Sequence, residues 1–203
     1  MSMIAGLTVA DLGRPSEKGL ARIYDVALVV AGAIAIALCT QIAIGYPVPI
    51  TGQTFAVLMV GVLLGSRRGA VCVLTYLAAG MAGLPVFSHA RAGLAAILGP
   101  TGGYLLGFMA AAYVVGRLAE RGWDRHAATT VLAMVLGNLA IYACGLIWLS
   151  FFAGALGGRG VLAVGLYPFL LGDLLKIALA ALLLPSGWRL LRFFGVAKSS
   201  GWQ

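Results

Sequence analysis

Two side chains of opposite charge lie three residues apart in a stretch that is otherwise apolar. Asp173 and Lys176 fall inside YPFLLGDLLKIALAALLLPSG, residues 167–187. Side chains at this spacing share one face of a helix, so both can point into the same space. A charge at the centre of a membrane helix costs about 2.5–3.5 kcal/mol, and such residues usually face a bundle interior or a wet cavity. An ionised carboxylate accepts N–H hydrogen bonds and an ammonium donates to oxygen, so the pair could hold a polar ligand.

The pair could also be purely structural, each charge offsetting the burial of the other. An apolar pair of similar volume is usually as stable as a buried ion pair or more stable. Asp173 is also the one acidic residue that lies away from the basic segments of the chain, since the others are Asp11, Glu17, Asp25, Glu120 and Asp124. We therefore favour a ligand-binding role for the pair.

The composition is that of an integral membrane protein. Of the 203 residues, 62% are hydrophobic and 10% are charged, whereas a soluble domain is about half apolar and about a quarter charged. A membrane-spanning helix needs about 20 consecutive apolar residues. Apolar runs of about that length recur, separated by breaks rich in glycine, proline or arginine.

The helical elements predicted from these runs form an all-α, polytopic bundle of six transmembrane helices in one domain, residues 1–203. Residues 1–23 and 193–203 are expected to be cytoplasmic tails. The second and third helices look short and are joined by GSRRG, which predicts a tight helical hairpin. The first run is too long for a signal-peptide core. The predicted helices are Tyr24–Ile42, Thr54–Leu64, Gly69–Met81, Gly103–Ala119, Ala127–Phe152 and Phe169–Leu190.

The basic residues indicate how the helices cross the membrane. Arg91 and Arg159 fall in loops on one side, and Lys176 lies within a helix. The other side carries Arg14, Lys18, Arg22, Arg67, Arg68, Arg117, Arg121, Arg125, Arg189, Arg192 and Lys198. Such a bias marks the basic side, with both termini, as cytoplasmic. The net charge of +8 is therefore a topology signal, and no nucleic-acid partner is expected.

The three loops opposite the basic side are long and rich in glycine, proline and apolar residues. They are Gly45–Thr54, Gly83–Gly103 and Ala153–Pro168. Non-helical backbone at membrane depth survives only where it packs in protein or lines a cavity. These loops are therefore expected to cap a pocket above Asp173 and Lys176.

Other residues are weaker candidates for ligand contacts. Arg91, in the second outer loop, could bind an anionic group or could extend to the membrane interface. Gln53 has an amide that both donates and accepts. Asn138 and Tyr142, one helical turn apart, could contact ligand or make hydrogen bonds between helices. Tyr104 could contact ligand or be an interfacial aromatic residue.

Enzymatic activity is disfavoured. His89 is a single loop histidine, and the cysteines have no metal-like spacing. The sequence contains no G-x-x-x-x-G-K-[ST] motif, so the chain has no ATPase site of this kind. No nucleophile and base can be paired, and neither a metal nor a cofactor is expected.

Small residues on the first helix point to close helix packing. AGAIAIA, residues 31–37, repeats alanine at a spacing of four, as in Ala31 and Ala35. Small residues at this spacing let helices approach closely in lipid, either inside the bundle or at a partner subunit.

Four motifs in order resemble those of the BioY family, the biotin-specific S components of energy-coupling factor (ECF) transporters. They are PVPITGQTF (Pro47–Phe55), GLPVF (Gly83–Phe87), GPTGGYLLGF (Gly99–Phe108) and PFLLGDLLK (Pro168–Lys176). The resemblance implies a six-helix protein of the cytoplasmic membrane that captures biotin from outside, with Asp173 and Lys176 in its biotin site. It implies a transmembrane scaffold and two cytoplasmic ATPases as partners, with docking at Ala31 and Ala35, or a homo-oligomer if the chain acts alone.

The chemistry of biotin fits these residues. Its ureido ring has two N–H donors and a carbonyl, which Asp173 and Lys176 could bind, and its tail is a carboxylate, for which Arg91 is the best placed cation. Two other interpretations stay open: a binding subunit or carrier for another small anionic vitamin, and a small intramembrane enzyme or channel.

Overall fold

The structure is a computed structural model that describes residues 7–44 and 48–195. The start of the first outer loop, residues 45–47, and the ends of both tails, residues 1–6 and 196–203, lie outside the described residues. In chain order the elements are α1 Val9–Leu12, α2 Lys18–Gln41, β1 Ala43–Ile44, β2 Ile50–Thr51, α3 Gln53–Leu64, α4 Ser66–Met81, α5 Leu94–Leu98, α6 Gly102–Ala119, α7 Ala127–Ser150, α8 Val161–Gly165 and α9 Tyr167–Phe193.

Among the described residues, four segments are long and apolar enough to cross a membrane: α2, α6, α7, and α8 together with α9. Their apolar windows differ in burial, from 67% in α6 to 39% in α7 and 22% in α2 and in α8–α9. Because α6 is the most enclosed, it lies at the centre, and α2 and α9 present most of their apolar surface outward. This arrangement confirms the predicted all-α membrane bundle, whereas the count of six spans stays a prediction, because α3 and α4 have only 12 and 16 residues.

Each of the six predicted helical segments overlaps a helix, and most ends agree to within three residues, but α2 begins at Lys18, six residues before the predicted Tyr24. α4 begins at Ser66 and not at Gly69 because Glu120 caps its first turn. The Ser66 backbone N–H and hydroxyl donate to Oε1 of Glu120 at 2.8 and 2.7 Å, which satisfies a helix-terminal donor that would otherwise be orphaned. α9 extends beyond the predicted Phe169–Leu190 at both ends and continues through Pro185.

α3 and α4 form the tight hairpin that the sequence predicts. Gly65 alone joins them, with a φ of 89° that favours glycine because a side chain would clash there. The two helices also touch at glycines, since a Cβ added to Gly69 would lie 2.8 Å from the Cα of Gly61. The hairpin packs against α6, because a Cβ on Gly61 would lie 2.6 Å from the Ala112 carbonyl oxygen.

The two ends of the bundle differ in chemistry. At the basic end, Arg68 bonds the carboxylates of Asp11 at 2.7 Å and Asp25 at 2.9 Å, and Arg14 bonds Asp25 at 2.8 Å. At the opposite end, here the loop end, β1 and β2 form an antiparallel pair with Ala43 opposite Thr51. This pair was not predicted. It holds the end of the first outer loop, just before α3, against the residues that follow α2.

Candidate ligand-binding site

A cavity opens at the loop end between the first two outer loops, α4, α6, α7 and α9. It brings together side chains that are far apart in the chain and mixes aromatic and aliphatic groups with a few polar ones, as small-molecule sites do. Its lining residues are Val48, Pro49, Thr51, Gln53, Thr54, Tyr76, Phe87, Ser88, Arg91, Ala96, Thr101, Tyr104, Leu105, Phe108, Ile141, Tyr142, Phe169 and Lys176.

One member of the charged pair, Lys176, lies at this cavity, and Asp173 adjoins it. Lys176 lines it, with its side chain 21% exposed, and its Nζ lies 3.3 Å from Oδ1 of Asp173, whose side chain is 7% exposed. The hydroxyl of Tyr142, on α7, donates to the other carboxylate oxygen of Asp173. Asp173 is not itself a lining residue, but it contacts two residues that are, Lys176 and Tyr142.

Two threonines that sequence reasoning missed complete the surroundings of Lys176. Its ammonium donates to the Thr51 carbonyl oxygen at 2.9 Å and to Oγ1 of Thr54 at 2.8 Å. Thr51 ends β2, and Thr54 lies in the first turn of α3. The ammonium therefore joins α9 to the first outer loop. The neighbouring Gln53 was the available signal, because the three residues lie within ITGQT.

Gln53 anchors a second polar network at the cavity. Its side chain is buried, and its Nε2 donates to the Tyr76 hydroxyl at 2.8 Å. The Tyr76 hydroxyl donates in turn to the Val86 carbonyl oxygen at 3.2 Å and lies 3.4 Å from Oγ1 of Thr40. These bonds fix the orientation of the Gln53 amide. They also connect the first outer loop to the second.

Arg91 also lines the cavity, and it lies in the second outer loop, far along the chain from the charged pair. Its Nε donates to the Ser88 carbonyl oxygen at 3.2 Å and its Nη2 donates to Oγ of Ser88 at 3.0 Å. No carboxylate bonds this guanidinium among the described residues. In the part of the chain that the structure describes, the cavity lining thus carries two cations, Arg91 and Lys176, and no acidic side chain, and the adjoining Asp173 carboxylate offsets the charge of Lys176 alone. This balance favours a ligand with a negative group.

The remaining predicted contacts are placed less directly. Tyr104 lines the cavity, but its hydroxyl donates to the Gly165 carbonyl oxygen at 2.8 Å, so its ring is the surface offered to a ligand. Asn138 is buried on α7 and is not among the lining residues. Its role in binding stays a prediction. The third outer loop, residues 153–168, contributes no lining residue, so the cap predicted from three loops is built from two.

The predicted partner residues lie outside the cavity lining, on the exposed side of α2. Ala31 and Ala35 are both exposed, whereas Ala33 and Ile36 on the other side of α2 are buried. In the part of the chain that the structure describes, no three His, Cys, Asp or Glu side chains gather into a group that could hold a metal ion.

Residues 14–193 match the profile of the BioY family. The chain belongs to the BioY family. It is 41% identical to the biotin transporter BioY of Rhizobium etli over 165 residues, which cover 77% of this chain and 87% of the relative. The biotin transporter BioY of Thermotoga maritima is 40% identical over 137 residues, covering 68% of this chain and 79% of the relative.

The fold of this BioY chain also matches a solved structure, the crystal structure at 2.1 Å of the S-component for biotin from an ECF-type ABC transporter. The TM-score is 0.69, and the match covers 86% of this chain and 95% of that chain. Sequence identity between the two is 24%, so this comparison supports the shared fold and carries no residue assignment.

Proposed function

We propose that this BioY protein is the biotin-binding subunit of an ECF-type uptake system. The observation that carries the proposal is the cavity at the loop end, whose lining has a cation in each of two separate segments and no acidic side chain. Family membership supplies the ligand, because the relatives with 40% identity or more are biotin transporters. The same relatives support binding and transport with no catalytic step, because they are transporters.

The charged pair is suited to the ureido ring of biotin. Asp173 is held by Tyr142 and Lys176, and a carboxylate keeps further lone pairs for ligand N–H groups. The three donors of Lys176 are used at 2.8, 2.9 and 3.3 Å. A ureido carbonyl oxygen would replace the longest of these, the contact with Asp173. Gln53, Tyr104 and Asn138 are proposed as additional contacts or as support for the pocket wall.

Arg91 is suited to the carboxylate of biotin. Its guanidinium bonds only Ser88 among the described residues, and charge-assisted bonds to a carboxylate are about twice as strong as neutral ones. The aromatic rings of Phe87, Tyr104 and Phe108, which also line the cavity, offer apolar surface to the thiophane ring and the alkyl chain.

The loop end is proposed to face the outside of the cytoplasmic membrane and the basic end the cytoplasm, with both termini inside. The bias of arginine and lysine toward one end supports this orientation. The exposed alanines of α2 support a partner at that surface, and the ECF transmembrane scaffold with its two ATPases is the partner proposed. A homo-oligomer is the form proposed if the chain acts without them.

Titration of the purified protein with biotin tests the binding function. We expect saturable binding of biotin and weaker binding of its amide, which lacks the carboxylate. Arg91→Gln should weaken biotin binding about 10- to 150-fold, the loss of a hydrogen bond to a charged group, and should leave binding of the amide unchanged. Arg159→Gln is the matched control, since Arg159 lies in the third outer loop and outside the cavity lining. Absence of biotin binding, or tighter binding of another anionic vitamin, would contradict the proposal.

A further inference from the structure

The turn that carries Arg91 is held by a residue of another helix. Gln41, the last residue of α2, donates from Nε2 to the carbonyl oxygens of Val86 at 3.3 Å and Phe87 at 3.4 Å. Its Oε1 accepts from the backbone N–H of Ala90 at 3.3 Å. One amide therefore bonds both sides of the turn.

The turn itself has a backbone conformation that its residues do not favour. His89 and Ala90 have φ values of 59° and 54°, and neither is a glycine. Residues held in the left-handed region cost on the order of 1–3 kcal/mol each and persist where their surroundings enforce them. Within the turn, the enforcing bonds are Phe87 N–H to the Arg91 carbonyl oxygen at 3.0 Å and Arg91 N–H to the Ser88 carbonyl oxygen at 3.4 Å.

The position of the turn sets the position of the Arg91 guanidinium. That guanidinium bonds the carbonyl oxygen and the hydroxyl of Ser88, so it moves with the turn. From the cavity side the turn is held by the Tyr76 hydroxyl, which donates to the Val86 carbonyl oxygen at 3.2 Å. From the other side it is held by Gln41. Gln41 is exposed and outside the cavity lining, so it does not contact the ligand.

We propose that Gln41 is a positioning residue that holds Arg91 where it can bind the carboxylate of the ligand. This inference rests on the proposed function, because it takes biotin as that ligand. Pre-organisation of a binding group increases affinity by removing the cost of ordering it on binding. Loss of Gln41 should therefore weaken the carboxylate contact specifically, and should leave the contacts of the Asp173–Lys176 pair intact.

The experiment compares Gln41→Leu with the wild type in two measurements. Leu has similar volume and no hydrogen-bonding group. Without ligand, backbone amide hydrogen exchange in residues 86–91 should be faster in the variant, because the turn loses its bonds to α2. With ligand, the Kd for biotin should rise about tenfold, the loss of about 1.4 kcal/mol, and the Kd for biotin amide should stay unchanged. Thr75→Val is the control, since the exposed Thr75 hydroxyl bonds only its own helix at the Val71 carbonyl oxygen.

A double variant decides whether Gln41 acts through Arg91. If it does, Gln41→Leu added to Arg91→Gln should cause no further loss of biotin affinity, because neighbouring groups that act as a unit are non-additive. Equal weakening of biotin and its amide, additive losses in the double variant, or unchanged amide exchange would each overturn the inference. Failure of the wild type to bind biotin would overturn the proposed function instead, and the exchange measurement would still report on the turn.

Discussion

The Lys176 ammonium ties three segments of the chain together. It bonds Asp173 on its own helix, the backbone of Thr51 in the first outer loop and the Thr54 hydroxyl on α3. Each bond gives a partner to one N–H donor of the partly buried ammonium. Without such partners, burial of the ion would cost several kcal/mol. The same bonds close the first loop onto α9, so the side chain proposed to bind the ligand also sets the position of that loop.

Asp173→Asn and Lys176→Gln should each lower biotin affinity about 150- to 5000-fold and leave membrane insertion intact. Removing one member of a buried charged pair costs about 3–5 kcal/mol, because the remaining charge stays in a poorly solvated place. Tyr142→Phe should cost less, about tenfold, since it removes one hydrogen bond to the carboxylate. Titration of purified variants measures these losses. Near-wild-type affinity for both charge variants would mean that the pair only stabilises the bundle.

At the scale of the helices, the exposed side of α2 is the surface proposed for a partner. Ala31 and Ala35 lie on this side, whereas Ala33 faces the bundle and is only 8% exposed. Internal packing, one of the two explanations for the alanine repeat, is therefore excluded for Ala31 and Ala35. What remains is a surface that contacts either lipid or another protein.

Replacing Ala31 and Ala35 together with Trp should abolish biotin uptake and leave biotin binding unchanged. Small residues allow two helices to approach closely, and Trp would force them apart, whereas lipid would accept Trp. Radiolabelled biotin uptake in a biotin auxotroph and titration of the purified variant measure the two effects. Val26→Trp is the control, because Val26 is 63% exposed and lies on a different part of the α2 surface by the helical period. Uptake that persists in the double variant would show that this surface is not a docking site.

The junction between α6, α7 and α9 contains a buried acid at the basic end. Asp124 is 2% exposed, and its Oδ2 accepts from Nε1 of Trp188 at 2.5 Å. Burial raises the pKa of the Asp124 carboxyl above its ordinary value, although the Trp188 hydrogen bond and the Arg125 charge oppose this. The folded protein therefore holds a proton that the unfolded chain has released, and this contribution to stability is lost as the pH rises from the ordinary pKa of Asp to the raised one.

Asp124→Asn should remove that pH dependence. The amide keeps an acceptor for Trp188 and carries no buried charge, so the melting temperature of the variant should rise relative to the wild type as the pH increases from acidic to neutral. Asp11→Asn is a control of opposite sign. Burial of Asp11 alone would raise its pKa, but the hydrogen bonds from Thr8 and Arg68 outweigh this effect and lower the pKa. The Asp11→Asn variant should therefore lose stability relative to the wild type as the pH increases from acidic to neutral. Thermal unfolding in detergent across pH measures both, and parallel curves for Asp124→Asn and wild type would contradict the expectation.

At the scale of the whole molecule, the sequence predicts the features that follow from residue composition and from the periodic spacing of apolar residues. Long apolar runs predict α2, α6, α7 and α9, and an isolated charge pair in such a run predicts the site at Asp173 and Lys176. The β1–β2 pair has two residues in each strand, too few for a period to show. Thr51 and Thr54 were missed because their bonds to Lys176 join residues that are more than 120 positions apart in the sequence. A single threonine also has no sequence pattern that would mark it as a partner of a distant lysine. Such contacts arise from tertiary packing.

The orientation proposed for the bundle rests on its two unlike ends and can be tested by labelling. In a background without Cys39, Cys72 and Cys144, a cysteine at Arg159 at the loop end should react with a membrane-impermeant maleimide in intact cells. A cysteine at His126, next to the basic end, should react only after the cells are permeabilised. Both positions are exposed, so neither lacks reactivity through burial. The expected direction follows from the retention of arginine and lysine on the cytoplasmic side during insertion.

The two labelling sites together separate orientation from folding. If the cysteine at position 126 reacts in intact cells and the one at 159 does not, the bundle is inverted, and the cavity would open toward the cytoplasm. A protein of that orientation could not capture biotin from outside, so the proposed uptake function would fail with it. If the expected pattern is found, saturating biotin should leave labelling at position 159 unchanged, because the third outer loop contributes no residue to the cavity lining. Protection there by biotin would show that the third loop closes over the ligand and that the cavity is capped by three loops after all.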